Sequence, residues 1–328
     1  MTSSLASRSE FSTNEVAPTG ASSSSSEPSG FHKTPPVGIS SCGFCHHRSP
    51  LRFNPHPPPP PIPPILSLPN STFCKLFAFT GERLRMGGKK FGVLLCAEDS
   101  DFVKKMYGGY FGVFVKMLAE EGETWDLYRV ACGEFPDDDE VESYDGFVIS
   151  GSSRDAHGND AWICRLLTLL TKLDSLKKKV LGICFGHQIL SRALGGKSGR
   201  AITGWDIGIR TVHLSSSSKI FSSLKIPALL SIYEIHRDEV WELPPKAELI
   251  AWSEKTGVEM FKYGDHIMGI QGHPEYTKDI LLNLIDRLVK LNFILDSETE
   301  DLKAKVLARE PDREAWRRLC LNFLKGGL

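Results

Sequence analysis

The chain has 328 residues, 41% of them hydrophobic, which is enough to bury a core in one large domain with appendages. Its 39 Lys and Arg residues nearly balance its 40 Asp and Glu residues, so no overall charge attracts it to nucleic acid or an anionic membrane. We expect neither partner. No apolar stretch approaches the roughly 18 residues of a spanning helix. Eight irregularly spaced Cys residues indicate reduced intracellular thiols, so we expect a soluble protein without structural disulfides.

Residues 1–85 differ in composition from the rest of the chain. They contain a Ser-rich run at 21–30, a Pro-rich run at 55–65 and almost no periodic apolar pattern. Such a segment cannot bury enough surface to offset its chain entropy, so we predict a disordered extension with a stiff proline spacer. Its Glu10, Glu15 and Glu27 offset Arg8, Lys33 and Arg48, unlike the acid-poor, Arg-rich pattern of a transit peptide. We therefore expect a cytosolic protein, with a plastid location as the alternative.

Two details of this extension are open to a functional reading. The string Cys-Gly-Phe-Cys-His at 42–46 matches a haem attachment site and, with His47, offers zinc ligands. No second ligand pair follows, so we interpret it as a chance match and expect neither a metal nor a cofactor. Met86 stands just before the ordered pattern and is a possible alternative start, which mass spectrometry of the native N-terminus would test.

From residue 90 to 295 the pattern is that of an α/β domain. Short apolar runs bounded by polar residues or Gly alternate with stretches of helical period, as expected for buried parallel strands joined by helices. The pattern predicts a doubly wound, mostly parallel sheet flanked by helices, with functional sites at the carboxyl ends of the strands. Strands are predicted at 91–97, 125–131, 145–150, 179–184, 229–236, 248–254, 258–264 and 266–273. Helices are predicted at 107–122, 160–176 and 277–295, and residues 296–328 as a helical tail that packs on the domain.

The strongest local motif is Gly-Ile-Cys-Phe-Gly at 182–186, at the end of an apolar strand and the start of a helix. This is the nucleophile-elbow pattern with Cys184 in place of Ser, and the two glycines leave room for the tight turn. The dipole of the following helix favours the reactive thiolate. The alternative is a buried structural cysteine between two glycines.

A base for this thiol is offered by Gly-His-Pro-Glu at 272–275. Residues i and i+2 of an extended chain share one side, and Pro274 biases the preceding residue away from helix. Glu275 can therefore hold one ring nitrogen of His273 while the other takes the proton of Cys184. For the tetrahedral oxyanion, one donor is the backbone N–H of Phe185, and a second can come from residues 150–153, where Gly151 permits close backbone approach. The alternative is that Gly151 only ends the strand.

These motifs, and their order, resemble the class I glutamine amidotransferase family over nearly all of residues 90–295. The resemblance implies Cys184 as nucleophile, His273 as base and Glu275 as the residue that orients it. It implies Gly151 and Phe185 as the oxyanion donors. It also implies a contact between Gln188 and the glutamyl part of the substrate. The stretch 232–244 is similar to the family's His-x-Asp-x-Val segment, which would place His236 and Asp238 beside the pocket.

Residues 102–114 and 145–163 more closely resemble the plant gamma-glutamyl peptidases, thiol hydrolases without a cofactor. The resemblance implies removal of the glutamyl residue from glutathione and its S-conjugates, as in glucosinolate metabolism. One departure is the loop 151–160, where the wider family has Gly-Gly-Pro-x-Ser. Arg154 in this loop offers a cation for a peptide carboxylate, although a solvated surface arginine is the better-supported interpretation.

Three functions remain compatible with the sequence. The first is a free-standing gamma-glutamyl hydrolase, acting on a small-molecule peptide, and the second is the glutaminase subunit of a two-chain amidotransferase. We expect the first, because no P-loop string or second α/β block follows residue 295. The third is a non-catalytic binding module, which usually lacks the Cys or the His that are both present here. The sequence does not predict the oligomeric state.

Overall fold

The computed structural model describes residues 88–215 and 224–327. The predicted disordered extension, its Cys-Gly-Phe-Cys-His string and Met86 lie outside these residues. The strands are β1 Lys90–Leu94, β2 Thr124–Tyr128, β3 Gly146–Ile149, β4 Lys179–Ile183, β5 Lys197–Arg200, β6 Asp206–Leu214, β7 Leu229–His236, β8 Asp238–Glu242, β9 Glu248–Trp252, β10 Met260–Tyr263 and β11 Ile267–Ile270. The helices are α1 Asp101–Tyr107, α2 Tyr110–Leu118, α3 Ala161–Ser175, α4 Phe185–Ala193, α5 Lys278–Lys290, α6 Asp296–Ala308 and α7 Arg313–Leu324.

Nine strands form one sheet in the order β2-β1-β3-β4-β11-β10-β9-β6-β7. The first five are parallel to one another, and the other four continue the sheet in antiparallel pairs. β3, β4 and β11 are neighbours, so their carboxyl ends meet at one edge of the sheet. The predicted α/β class, with a parallel sheet between helices, is confirmed.

Helices cover both faces of the sheet because the strand residues alternate between two buried layers. On one face, strand residues such as Val148 and Leu181 pack with side chains of α2 and α7. On the other face, residues such as Phe147 and Val180 pack with side chains of α3 and α4. The strands β1, β3, β4 and β11 are therefore buried almost throughout, as is typical of a doubly wound fold, whereas the edge strand β2 is only half-buried.

The predicted single helix at 107–122 is wrong. The chain forms α1 and α2 instead, and it is interrupted at Gly108 and Gly109, which have φ of 73° and 93°. Gly108 ends α1, and its N–H donates to the carbonyl of Lys104. Positive φ is accessible to glycine at little cost, so two adjacent glycines favour a new helix direction over continuation.

The C-terminal residues belong to the core. α6 contacts α5 and β6, and α7 contacts α2 and β4. Trp316, Leu319 and Phe323 of α7 are almost completely buried, and the indole N–H of Trp316 donates to the carbonyl of Ser231 at 3.0 Å. Among the described residues, no helix is both long and apolar enough to span a membrane.

Candidate active site

The candidate nucleophile Cys184 lies between the end of β4 and the start of α4. Its φ and ψ are 52° and −105°, a conformation that costs a residue with a side chain free energy. The turn leaves no room beside it: a Cβ on Gly182 would lie 2.5 Å from the carbonyl oxygen of Gly186, and one on Gly186 would lie 2.5 Å from that of Ile149. Both glycines of the motif are therefore required by close backbone approach.

His273 and Glu275 follow β11, the strand next to β4. The Nδ1 atom of His273 lies 2.8 Å from Oε1 of Glu275, and both side chains are almost completely buried. A hydrogen bond links the same ring to Cys184. Nδ1 is occupied by the carboxylate, so the thiol meets the ring at its other nitrogen. The structure thus brings all three predicted residues together in the order thiol, imidazole, carboxylate.

Burial on its own lowers the pKa of His273, because a buried imidazolium loses its hydration. The charges of Glu275 and Cys184, with their hydrogen bonds, outweigh this effect and raise the pKa of His273 to about 9. The ring therefore retains a proton at neutral pH when it faces a thiolate. This is the electrostatic condition for a thiolate–imidazolium pair.

The predicted oxyanion donors lie on two sides of the thiol. Phe185 is the first residue of α4, and Gly151 follows β3 so closely that an added Cβ would lie 3.7 Å from the Cβ of Cys184. The backbone at Gly151 is held by Ser150, whose hydroxyl donates to the Gly151 carbonyl at 2.9 Å and accepts the N–H of Cys96 at 2.8 Å. Backbone donors fixed in this way need little reorganisation when charge develops.

Gln188, His236 and Asp238 also lie near one another, and polar groups of their side chains are bonded to other groups of the protein. The side-chain amide of Gln188 donates to the carbonyl of Asp238 at 2.7 Å and to Oε1 of Gln271 at 3.0 Å. Nδ1 of His236 lies 3.0 Å from the same carbonyl, and burial lowers the pKa of this histidine. Direct contacts of these residues with a substrate stay predictions.

The loop 151–160 is held by two arginines. Arg192 of α4 donates to the carbonyls of Ala156 and Gly158 at 2.8 and 2.5 Å, and to the side chain of Asn159 at 2.8 Å. Arg200, at the end of β5, pairs with Asp155 of the loop at 2.9 Å. The loop that begins at Gly151 is thereby anchored to the helix that begins after Cys184.

Arg200 also pairs with Asp238 at 2.6 Å. Asp155, His157 and Asp238 offer ligand atoms within 4.8 Å of one another, a spacing that a metal ion could use. The Arg200 guanidinium already pairs with both carboxylates, so we interpret the group as an ionic link between the loop and β8. Burial raises the pKa of Asp238, while Arg200 lowers it in part.

A buried acidic pair lies behind the catalytic segment. Glu234 of β7 and Glu259 before β10 are almost completely buried, and an added Cβ on Gly272 would lie 2.4 Å from Oε1 of Glu234. Burial and the charge of Asp206 raise the pKa of Glu234 well above its usual range, and burial and the charge of Glu234 do the same to the pKa of Glu259. A shared proton is the arrangement that two such carboxyl groups favour.

Residues 104–281 match the family Glutamine amidotransferase class-I, and this range includes Cys184, His273 and Glu275. The chain belongs to the class I glutamine amidotransferase family. Within it, the chain is 54% identical over 242 residues to gamma-glutamyl peptidase 5 of Arabidopsis thaliana, covering 73% of this chain and 96% of that protein. It is 50% identical over 242 residues to gamma-glutamyl peptidase 3 of the same plant, covering 73% and 97%. The predicted resemblance is therefore confirmed.

The fold of this family member is also found in a crystal structure of a glutamine amidotransferase from Thermotoga maritima. The two share 21% sequence identity, with a TM-score of 0.54, over 72% of this chain and 98% of that one. At this identity the likeness concerns the fold alone.

Sequence reasoning missed several residues that shape the site. Arg192 and Arg200 carry no local signal, because an arginine on a helix or strand normally reads as solvated surface. Ser150 follows an apolar run, and in the sequence it indicates only the end of a strand. The aromatic Tyr276, directly after the Gly-His-Pro-Glu motif, was available to sequence reasoning and lies against His273 in the structure.

Proposed function

We propose that this family member is a thiol hydrolase that cleaves the gamma-glutamyl amide bond of glutathione and its S-conjugates and releases glutamate. The proposal depends on the arrangement in which Cys184 contacts His273 and His273 contacts Glu275. This arrangement supplies a nucleophile, a proton carrier and an orienting charge in one buried site. Two relatives named gamma-glutamyl peptidases support the class of substrate. More specifically, we expect the substrates to be glutathione conjugates of the kind that arise in glucosinolate biosynthesis.

In the first half of the reaction, the Cys184 thiolate attacks the gamma carbonyl carbon of the glutamyl residue. The N–H groups of Phe185 and Gly151 stabilise the negative charge on the carbonyl oxygen. The imidazolium of His273 then gives its proton to the departing amine, the C–N bond breaks, and the gamma-glutamyl group stays on Cys184 as a thioester.

In the second half, neutral His273 removes a proton from water, and the resulting hydroxide attacks the thioester carbonyl. The C–S bond breaks, glutamate leaves, and the thiolate and imidazolium are restored. Glu275 keeps Nδ1 occupied throughout, so that the nitrogen facing Cys184 carries the proton in both directions.

The leaving group distinguishes this proposal from an amidotransferase reaction. Glutamine releases ammonia, whereas a glutathione conjugate releases a bulky cysteinyl-glycine that needs room at the entrance. The loop 151–160, held by Arg192 and Arg200, replaces the usual family loop at this position. We infer that this fixed loop accommodates the peptide leaving group without a partner subunit.

The test offers purified protein glutamine, glutathione and a glutathione S-conjugate separately and measures released glutamate. We expect kcat/KM for the gamma-glutamyl peptides to be well above that for glutamine, without any added subunit. The Cys184→Ala variant, shown by thermal melting to be folded, is the control for contaminating activity.

Faster hydrolysis of glutamine than of every peptide offered would contradict the proposal, as would inactivity until a synthase is added. Either result favours the glutaminase subunit. Binding of a gamma-glutamyl peptide with no turnover under any condition would favour a non-catalytic module.

We also propose that the protein acts in the cytosol, since the extension at 1–85 contains acidic residues that transit peptides lack. Fusion of the full chain to a fluorescent protein, with residues 1–85 fused alone as the comparison, tests this. Plastid fluorescence from either fusion would contradict it.

A further inference from the structure

The ring of the base His273 lies face to face with the ring of Tyr276. The ring centroids are 4.0 Å apart, and the planes are inclined by only 7°. The exposed fractions of the two residues are 3% and 6%, so water is nearly excluded from both. The hydrogen bond to Glu275 lies at the edge of the imidazole, at Nδ1. Tyr276 therefore contacts a part of the ring that neither the thiol nor the carboxylate uses.

Tyr276 is itself held by α2. Its ring centroid is 6.1 Å from that of Tyr110, and the two hydroxyl groups are hydrogen-bonded. The backbone N–H of Tyr110 donates to Oδ1 of Asp99 at 2.6 Å, which fixes the start of the helix. The position of the Tyr276 ring is thus set by an element outside the catalytic strand.

We propose that Tyr276 is a positioning residue that holds the ring of His273 in place and stabilises its protonated form through the face of the aromatic ring. The face of a phenol ring carries negative charge from its quadrupole, and a cation over it is stabilised most where water is excluded. At neutral pH, His273 carries positive charge when it faces the Cys184 thiolate. The role of that charge in turnover rests on the proposed function, but the stacking interaction does not.

Other groups around His273 must be separated from this effect. Glu275 and Cys184 contact the ring directly, Tyr110 reaches it through Tyr276, and Glu234 of β7 lies against Gly272. From α7, the buried Cys320 faces Glu275. Because these groups are retained in a variant that changes only the ring at 276, a series of such variants isolates the contribution of the aromatic face.

The test replaces Tyr276 by Phe and then by phenylalanines with increasing numbers of ring fluorines. These keep the shape of the ring while they weaken the negative charge on its face. The protonation of His273 is followed by nuclear magnetic resonance of nitrogen-labelled histidine over a pH series, with the signal assigned by its loss in His273→Gln. We expect the midpoint of the His273 titration in Tyr276→Phe to equal that of the wild type. Across the fluorinated series, we expect this midpoint to fall by about one pH unit.

The same fluorinated series at Tyr263 is the matched control. Its ring lies beside His266 at 6.1 Å and an angle of 67°, an edge contact without stacking. We expect no change at His273. An unchanged His273 midpoint across the Tyr276 series, in variants that melt like the wild type, would overturn the proposal. A fall in Tyr276→Phe as large as in the most fluorinated variant would assign the effect to the hydroxyl group and would also overturn it.

The measurement needs no substrate, so it separates this inference from the proposed function. A shifted midpoint in a protein without gamma-glutamyl hydrolysis would support the stacking role and refute the activity. Hydrolysis of gamma-glutamyl peptides together with an unshifted His273 midpoint would support the activity and refute the stacking role.

Discussion

At the scale of single residues, Cys184 combines the proposed chemistry with a strained backbone. A positive φ at a residue that is not glycine costs about 1–3 kcal/mol, whereas the greater freedom of glycine in the unfolded chain costs about 0.5–1 kcal/mol. We therefore expect Cys184→Ala and Cys184→Gly both to lose hydrolysis, and the Gly variant to be more stable than the Ala variant in denaturant unfolding.

Wild-type turnover in Cys184→Ala would refute the nucleophile assignment. A Gly variant that unfolds before the Ala variant would refute the interpretation of strain. His273→Ala should be nearly as inactive as either, since the members of such a triad act as a unit, and Glu275→Gln should be milder.

The pH dependence of the enzyme also belongs to this scale. The pKa of His273 is raised from 6.5 to about 9 because Glu275 and Cys184 outweigh the effect of burial. The stability contributed by charged His273 is therefore fully present below pH 6.5 and is lost as the pH rises through about 9. We expect kcat/KM to fall on the alkaline side as the pH rises through about 9. In Glu275→Gln we expect this fall at lower pH, because the variant lacks the charge that raises the pKa of His273.

Profiles of kcat/KM against pH for the two proteins test this, with Glu142→Gln at an exposed position as the control. An alkaline limb at the same pH in Glu275→Gln and wild type would show that the carboxylate does not set the charge of His273.

At the scale of elements, the loop 151–160 depends on a side chain from a different element. Arg192→Ala removes three hydrogen bonds to this loop and should displace Gly151 from the thiol. We expect kcat/KM to fall about tenfold or more, as for a weakened oxyanion donor. Arg192→Lys should be almost as impaired, because an ammonium group lacks the planar fork.

The matched control is Arg165→Ala, which removes an arginine of α3 that donates to the carbonyl of Gly133 at 3.3 Å, outside this loop. Equal losses in the two Ala variants would show that the effect of Arg192 is not specific to the loop.

The position of α7 is a second case in which one element depends on another. Trp316 is 1% exposed and bonds to Ser231 on the edge strand β7. We expect Trp316→Ala to reduce the free energy of unfolding by about 3–5 kcal/mol. Trp241→Ala, at a position that is 56% exposed, should stay within about 0.5 kcal/mol of wild type. Similar losses in denaturant unfolding would contradict the assignment of α7 to the core.

At the scale of the whole molecule, every candidate site residue, Ser150 and Tyr276 included, lies in the range 150–276, and the elements that hold these residues lie within the described domain. Removal of residues 1–85 should therefore leave kcat and KM nearly unchanged, because a Ser- and Pro-rich segment supplies neither strand nor core. Steady-state kinetics of the truncated and full chains test this. A large loss of activity on truncation would show that the predicted domain boundary is wrong.

The sequence by itself determined the features that depend on near neighbours in the chain. The elbow at Cys184 follows from glycines two residues to either side, and the pairing of His273 with Glu275 follows from a spacing of two residues. Buried parallel strands followed from continuous apolar runs. The order of the motifs then identified the family, whose fold the structure shows.

Only the tertiary structure decided the contacts between distant elements. The ring of Tyr276 against His273, the hold of Arg192 and Arg200 on the loop 151–160, and the burial of Trp316 all depend on where separate elements pack. Sequence spacing carries no information on such distances, because a helix or strand can present the same residue to solvent or to a neighbour. These contacts are decided by the packing of α2 and α7 on one face of the sheet and of α4 on the other.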